Sequence, residues 1–407
     1  MKKILIVVFV IMLGVLLRIF LATHAYPTLI WDARTYVDFA QEFLRGGTPI
    51  DPRTKNMGYP LFLAFLFWLR GTVDITYVKF VQILLDILAG IFVFVAAQKV
   101  FSGKTAFIAL FFYLLNPFTS SYVGLVLPEA LSCFLIGLLL VVTTSSGFKS
   151  NIFAWISAGL TLGLLLFARF SLFIFSISTI GLISCLCFKR GIAWKFFLVA
   201  FAGFLLASSY SLIINYKTYG KVSFTPPYTT LGGQIYLTMF YASRYPEVVF
   251  WGVSPEEARV YEEYRLTPLW ELSNWNKRYL NLFFTKLTNE PYTFVSHFFK
   301  NLFWLWDKDH LFTYRDPWYP ADRYPLRVVN LIFLGLSMLG IVSYLKRGLK
   351  TLREPFVIVT FLLAAVMSLQ FPLVSNENRH TILFYPLLFF WAAYGVGIVF
   401  NFKKSTK

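Results

Sequence analysis

Long apolar runs, separated by short polar segments, make up most of this chain. Since a helix needs about 20 apolar residues to cross the hydrocarbon core of a bilayer, the pattern predicts about ten transmembrane helices. They lie at residues 4–22, 75–98, 105–120, 130–146, 152–168, 172–188, 196–215, 327–345, 356–372 and 381–401. No internal repeat or flexible linker divides the pattern. We therefore expect residues 1–407 to form a single membrane-embedded domain of an all-α polytopic membrane protein.

Two longer polar segments interrupt the series of apolar runs, and the first is 23–74. It follows the first predicted span and contains two short helical patterns, near 33–45 and 58–70. A Gly-Gly-Thr-Pro stretch that starts at Gly46 predicts a turn between them. Both helices are expected to lie at the membrane surface.

The second and larger polar segment is 216–326. Within it, Ser254 is followed by Pro255 and two glutamates, a pattern typical of a capped helix start. Pro291 predicts the start of a further helix that runs towards Trp306. These helices carry aromatic residues on more than one face, which favours an interface or a covered groove over open water.

Composition and charge agree with a membrane protein and exclude a nucleic-acid-binding one. The 407 residues are 57% hydrophobic and 20% aromatic, and the formal net charge is +17. The positive charge collects in alternate loops, so that a cytoplasmic N-terminus satisfies the positive-inside rule throughout. These loops carry Lys2, Lys3, Lys99, Lys104, Lys149, Lys189, Arg190, Lys195, Lys346, Arg347, Lys350, Arg353, Lys403, Lys404 and Lys407, against Glu354 as the one acid. Any chemistry is therefore expected on the extracytoplasmic face of the cell membrane, where both polar segments would lie.

Asp32 is the first candidate for chemistry. It stands directly after the first apolar run, between Trp31 and Tyr36, two residue types that favour membrane interfaces. A plain helix-capping carboxylate would also occur here. A single charge on an otherwise aromatic helix face at the membrane surface nevertheless favours a catalytic base that acts on a lipid-borne substrate.

Further charged residues lie at the ends of predicted spans. Glu129 follows Pro128 at the start of one span, where the helix dipole alone would stabilise it. Arg169 marks a tight turn between two spans and could bind lipid phosphate or extend to the headgroups. With Lys55 and Arg379 it could form a phosphate clamp.

Two ionisable residues fall inside predicted spans. These are Arg18 in the first span and Asp86 in the second. Intramembrane charges often mark functional sites. A buried ion pair that holds the two helices together is the simpler interpretation.

The motifs of several enzyme classes are absent from the sequence. It has no Walker loop, no His-Glu-x-x-His zinc motif, no paired Cys-x-x-Cys and no nucleophile elbow. Nucleotide use, structural zinc and an acyl-enzyme intermediate are therefore not indicated.

Short segments in a fixed order give the chain a resemblance to the GT-C membrane glycosyltransferases. The layout is similar to the type that includes the dolichyl-phosphate-mannose protein mannosyltransferases and the aminoarabinose transferases. The segments are Asp32–Ala40, Asn56–Leu61, Pro128–Leu131, Gly159–Arg169, Asn215–Gly220 with Thr230–Gly233, Asn289–Tyr292 and Arg379–Pro386. The family often has Asp-Glu in the first loop. Here Ala33 follows Asp32, which leaves Asp32 as the sole acid at that place.

The resemblance implies inverting transfer of a sugar from a polyprenyl-phosphate donor to an acceptor hydroxyl on a protein, lipid or glycan. Asp32 would be the base. Glu129 would orient the acceptor or share a divalent cation with Asp32. Arg169, Lys55 and Arg379 would bind the donor phosphate. Further contacts with donor or acceptor would come from Tyr36, Tyr59 and His380. Two other classes stay open: a transporter or flippase of lipid-linked substrates, and a membrane protein without activity.

Overall fold

The computed structural model describes residues 2–25, 29, 32–47, 57–224, 230–241, 254–312, 316–319, 321–375 and 377–402. Within these ranges the regular structure is helical, with no strand. The α-helices are α1 (Lys2–His24), α2 (Asp32–Leu44), α3 (Gly58–Arg70), α4 (Ile75–Val100), α5 (Gly103–Leu115), α6 (Pro117–Tyr122), α7 (Glu129–Thr143), α8 (Ile152–Ala168), α9 (Phe173–Cys187), α10 (Arg190–Tyr219), α11 (Leu231–Phe240), α12 (Pro255–Leu266), α13 (Leu272–Asn289), α14 (Pro291–Trp306), α15 (Arg323–Leu345), α16 (Pro355–Val374) and α17 (Tyr385–Val399). A 3₁₀ helix at Asn378–Phe384, called the Arg379 turn below, joins α16 to α17.

Each apolar run corresponds to a helix, but not every helix has full spanning length. Seven helices in the described part of the chain are long and apolar enough to cross a membrane. They are Leu5–His24, Ile75–Val100, Phe170–Cys187, Arg190–Lys217, Arg323–Leu345, Pro355–Val374 and Arg379–Val399. The other three predicted spans are α5, α7 and α8, with 13, 15 and 17 residues. The chain is a polytopic membrane protein, and the predicted number of about ten spans is not confirmed.

The predicted span at 105–120 is interrupted near its end. Helix α5 stops at Leu115, and Asn116 adopts an extended conformation. The Asn116 side chain accepts from the backbone N–H of Thr119 at 2.9 Å and so caps α6, whose first residue is Pro117. A proline cannot donate to the preceding turn, so the sequence restarts a helix here instead of continuing the first one.

The polar segments contain the helices that their sequences predict. Helices α2 and α3 lie where interfacial helices were expected, and Gly46 between them has a left-handed φ of 77°. Ser254 Oγ accepts from the N–H of Glu257 at 3.1 Å and caps α12. Helix α14 begins at Pro291 and ends at Trp306, as expected. Helices α11 and α13 have no counterpart in the sequence predictions.

Helices α11 to α14 pack around a cluster of aromatic side chains that includes Trp275 and Tyr279. A Cβ at Gly233 of α11 would come within 2.1 Å of the Trp275 ring, so the missing side chain makes room for the indole. Asn301 of α14 donates to the Thr238 and Pro372 carbonyls at 3.1 and 3.0 Å. These bonds join α14 to α11 and to α16.

A buried ion pair joins α1, α4 and α5. Arg18 donates from Nε and Nη2 to Asp86 Oδ2 at 2.8 and 2.5 Å, and both side chains are fully buried. Arg18 Nη1 donates to the carbonyls of Gly14 and Leu114, while the Tyr113 hydroxyl donates to Asp86 Oδ1 at 2.7 Å. Because the network satisfies both charges inside apolar surroundings, the interpretation as a structural helix lock is confirmed.

Close backbone contact brings α8 against α10. A Cβ on Gly159 would lie 1.9 Å from the Ala200 carbonyl oxygen, and one on Gly163 would lie 2.5 Å from that of Phe204. Two glycines four residues apart let the two helix backbones touch, which is how membrane helices gain packing without a hydrophobic driving force. Helix α8 ends directly before Arg169, so this contact fixes the base of a candidate site residue.

The Arg18–Asp86 pair yields a test of stability. Arg18→Leu should lower the free energy of unfolding by about 3–5 kcal/mol, because it leaves a buried carboxylate without its cation. Adding Asp86→Leu should recover most of the loss. Unfolding in mixed micelles by denaturing detergent measures both variants. Arg34→Leu is the control, since this arginine is 75% exposed in its own ion pair; equal losses in the single and double variants would contradict the expectation.

The glycine contact can be tested with a single methyl group. Gly159→Ala should lower the thermal unfolding temperature, because the new Cβ cannot coexist with the Ala200 carbonyl unless α8 and α10 move apart. The matched control is Gly181→Ala in α9, where a Cβ meets no atom within 4 Å. The packing argument fails if both variants unfold at the same temperature.

Candidate active site

The first element of the candidate site is an ion pair between the start of α2 and the Arg379 turn. Arg379 Nη2 donates to Asp32 Oδ2 at 2.9 Å, and the two residues are 347 positions apart in sequence. The side chains are 9% and 17% exposed. Glu377 also contacts the guanidinium, with its Oε2 atom 2.6 Å from Arg379 Nε. Asp32 is therefore the more water-facing partner of a mostly buried pair.

The second element joins α7, the end of α8 and the Arg379 turn. Glu129 is fully buried at the start of α7, and its Oε1 atom lies 3.4 Å from Arg169 Nη1. Arg169 caps the end of α8 and is 9% exposed. Its Nη2 atom lies 3.1 Å from His380 Nδ1. Buried charges are costly unless paired, so Glu129 and Arg169 stabilise each other.

Two tyrosines lie between these ion pairs. The Tyr36 and Tyr59 rings meet edge to face, with their centroids 5.2 Å apart. Burial, and then the negative charge of Asp32, raises the pKa of Tyr36 well above its usual range, against the opposing effect of Arg379. Burial, and then Glu129, does the same to the pKa of Tyr59. Both phenols therefore keep their protons and serve as hydrogen-bond donors.

Local sequence explains why these residues converge. A Cβ on Gly58 would lie 2.0 Å from the Phe167 carbonyl oxygen, so glycine lets the start of α3 touch the end of α8 beside Arg169. The Tyr59 hydroxyl donates to Gln82 Oε1 at 2.6 Å, and Gln82 Nε2 donates to the carbonyls of Val123 and Leu125. This series of hydrogen bonds joins α3 to α4 and to the turn before α7. The site is therefore built on helix ends that are anchored by backbone contacts.

A charged strip after α14 was not anticipated from the sequence. Asp307, Lys308, Asp309 and His310 are all less than 10% exposed. Arg327 donates to both carboxylate oxygens of Asp307 at 2.8 and 2.7 Å. The sequence signal that could have revealed this strip is the run of four consecutive ionisable residues in so apolar a chain.

Partners of the charged strip lie at the start of α15 and in the segment before it. Arg323 Nε lies 3.3 Å from Asp309 Oδ2. Asp316 Oδ2 accepts from the N–H groups of Leu311 and Phe312 at 2.6 and 3.2 Å. Lys308 Nζ lies 5.9 Å from the centre of the Tyr385 ring, and Tyr385 directly follows the Arg379 turn. The strip thereby borders the site.

Seven of the eight site residues expected from the sequence lie in this one region. They are Asp32, Glu129, Arg169, Arg379, Tyr36, Tyr59 and His380. Lys55 lies outside the described residues, as does Trp31. The roles expected for these residues stay predictions, since position alone does not assign them.

The arrangement does not fit a resident divalent cation. Among the described residues, no group of three or more His, Cys, Asp or Glu side chains could hold a metal ion. Asp32 and Glu129, which could share an ion, each face a guanidinium instead. We therefore derive no chemical step through a metal.

Solved structures share this arrangement of helices. A structure of the archaeal oligosaccharyltransferase AglB from Archaeoglobus fulgidus, in complex with an inhibitory peptide and a dolichol-phosphate, superposes with a TM-score of 0.53 and 12% identity over 98% of this chain. An Archaeoglobus fulgidus oligosaccharyltransferase tethered to an acceptor peptide that contains the NVT sequon gives a TM-score of 0.54 and 14% identity over 97% of the chain. In complex with zinc and sulfate it gives 0.55 and 13% over 96%.

These matches cover only part of the solved chains. The chain spans about half the length of the solved chains, with 51%, 50% and 49% of each covered. No family model and no curated protein matches the sequence. The likeness therefore shows a fold shared with AglB and does not single out the mannosyltransferase or aminoarabinose-transferase type.

Asp322, which borders the charged strip, gives a test in the pH dependence of stability. Burial, and then the neighbouring Asp316, raises the pKa of Asp322 to about 6 from an ordinary value of 3.8. The native state thus binds this proton more tightly than the unfolded chain, and the associated stability is lost as pH rises from about 4 through 6. As the pH rises over this range, the unfolding temperature of Asp322→Asn should therefore increase relative to that of wild type. A difference that is constant between pH 4 and 7.5 would contradict the assignment.

Proposed function

We propose that this protein is a membrane glycosyltransferase that transfers a sugar from a polyprenyl-phosphate donor to an acceptor hydroxyl with inversion. The single observation that carries the proposal is the convergence of Arg169 and Arg379 with Asp32 and Glu129 on helix ends. Paired arginines suit a phosphate because a guanidinium can donate two parallel hydrogen bonds. A nearby carboxylate suits the removal of a proton from an acceptor hydroxyl.

The Asp32–Arg379 pair suggests how binding leads to reaction. The donor phosphate is a diester with one negative charge, and its two non-bridging oxygens compete with Asp32 for the Arg379 guanidinium. Asp32 then loses its compensating cation, and its affinity for a proton rises. The donor would therefore free the base that activates the acceptor.

The reaction is a single displacement at the anomeric carbon. The acceptor oxygen forms a bond to that carbon as Asp32 takes the hydroxyl proton. The bond from the anomeric carbon to the phosphate oxygen breaks, and its electron pair leaves with the polyprenyl phosphate. Arg169 and Arg379 stabilise the developing negative charge, so no acid is needed for the leaving group.

The solved structures and the charge pattern support this choice of substrates and location. AglB has been captured with a dolichol-phosphate and with an acceptor peptide, which are a lipid phosphate and a glycan acceptor. The protein would work in the cell membrane with its site on the extracytoplasmic face, as the positive loops predict. Its acceptor is a protein, lipid or glycan hydroxyl.

Binding of a short-chain polyprenyl phosphate to the purified protein in nanodiscs tests the donor class. Wild type should bind this lipid, and Arg169→Ala and Arg379→Ala should each weaken binding about tenfold or more through loss of a charge-assisted contact. Arg34→Ala, an exposed cation on α2, is the matched control. If wild type does not bind the lipid, or if all three variants bind equally, the proposal fails.

Asp32→Asn should slow transfer by about 10²–10⁴, which is the usual cost of removing a general base, while donor binding is kept. The amide retains the shape and loses the proton affinity. Turnover is measured as free polyprenyl phosphate released from polyprenyl-phosphate hexoses or pentoses in the presence of an acceptor. NMR of the wild-type product should show the anomeric configuration opposite to that of the donor; retention, or wild-type turnover in Asp32→Asn, would overturn the mechanism.

A further inference from the structure

His380 is held between an arginine and a serine. Its Nδ1 atom lies 3.1 Å from Arg169 Nη2, and its Nε2 atom lies 3.0 Å from Ser375 Oγ at the end of α16. Phe371 stacks on the ring, with the centroids 4.4 Å apart and the planes 19° apart. The imidazole is thus fixed in its plane by stacking and along its edge by two polar contacts.

The chemistry of arginine decides the protonation state of this ring. A guanidinium has only donors, so a hydrogen bond from Arg169 needs an unprotonated Nδ1 as its acceptor. A neutral imidazole with a free Nδ1 carries its proton on Nε2. That N–H group then donates to Ser375 Oγ. A doubly protonated ring would place two donors opposite each other at 3.1 Å and lose the contact.

Glu129 holds Arg169 from the other side. Glu129 Oε1 lies 3.4 Å from Arg169 Nη1, but neither oxygen of Glu129 nor Arg169 Nη1 forms a hydrogen bond within the described residues. The ion pair therefore attracts the guanidinium without fixing its direction, while the contact with His380 Nδ1 is directional. Arg169 Nη1 thus faces the Glu129 carboxylate without donating a hydrogen bond to it.

We infer that His380 is a positioning residue, a neutral imidazole whose unprotonated Nδ1 atom orients Arg169 towards the donor phosphate. This inference rests on the proposed function for the identity of the anion. It assigns His380 to the support of Arg169 and not to direct contact with donor or acceptor. Arg169 selects the tautomer, and the Ser375 hydroxyl, which can accept as well as donate, accommodates it by accepting the Nε2 proton.

Charged groups reach the ring from every side. They are Arg169 at the end of α8, Arg379 within the same turn, Lys308 after α14 and Asp32 on α2, while Glu129 on α7 lies behind Arg169. Variants that alter only the hydrogen-bonding capacity of residue 380 leave all these charges in place. They separate positioning by a hydrogen bond from a general electrostatic effect.

Two amides offer a matched pair of variants. The side-chain oxygen of asparagine can replace Nδ1 as an acceptor, whereas the longer glutamine can place its NH₂ group near Nε2 and leaves the Nδ1 position empty. His380→Gln should therefore weaken binding of short-chain polyprenyl phosphate about tenfold, close to the loss in Arg169→Ala. His380→Asn should lose much less. His24→Gln, at the exposed end of α1, is the control.

The tautomer can be read without any ligand. The chain contains four histidines, so ¹⁵N-histidine labelling gives few signals, and the resonances of His380 are those absent from His380→Asn. At neutral pH its Nδ1 should show the shift of an unprotonated nitrogen and its Nε2 that of a protonated one. The opposite tautomer, or a doubly protonated ring, would overturn the inference.

The outcomes also separate this inference from the proposed function. If Arg169→Ala weakens lipid binding but His380→Gln binds as wild type, the positioning role is wrong and the phosphate site stands. If Arg169→Ala and Arg379→Ala bind as wild type, the donor class itself is wrong. Equal losses in His380→Asn and His380→Gln would also contradict the inference, because they would indicate that the ring acts through packing alone.

Discussion

Removing a charge from water costs free energy, and two buried ion pairs in this protein offset that cost in different ways. Arg18 and Asp86 satisfy each other through direct hydrogen bonds, with carbonyl groups and a tyrosine completing the network. Arg169 and Glu129 are also buried, yet their paired atoms are 3.4 Å apart and form no hydrogen bond within the described residues. The first pair is complete and holds helices together. The second keeps unused hydrogen-bonding capacity, which is the property that a binding site requires.

Close contacts between helix backbones hold the helices around the Arg169–Glu129 pair in place. Gly159 brings α8 against α10, and Gly340 and Gly395 bring α15 against α17, with virtual Cβ atoms only 1.9–2.2 Å from facing carbonyl oxygens. Such contacts leave no room for sliding. Arg169 lies at the end of α8, and Arg379 and His380 lie in the turn that leads into α17. A fold of this kind can present different side chains at the same place, which explains how 12–14% identity accompanies the likeness to AglB.

Local pattern was enough to predict much of the architecture from sequence. Apolar runs located the membrane helices, Ser254 and Pro291 located helix starts in the large polar segment, and Arg18 with Asp86 was recognised as a pair. Contacts between residues far apart in the sequence were harder to predict. Nothing local indicates that Asp32 pairs with Arg379, because 347 residues separate them. The strip from Asp307 to His310 was missed because polar residues between helices suggest exposure, whereas its arginine partners come from α15.

Arg379 and His380 are neighbours on a single 3₁₀ turn, but they hold different partners, Asp32 and Arg169. A rotation of that turn cannot change one contact without disturbing the other, since only one peptide unit separates the two side chains. The turn therefore acts as a mechanical coupling between the start of α2 and the end of α8. For the proposed reaction, such a coupling would favour a compulsory order of addition, in which the acceptor becomes reactive only after the lipid has bound.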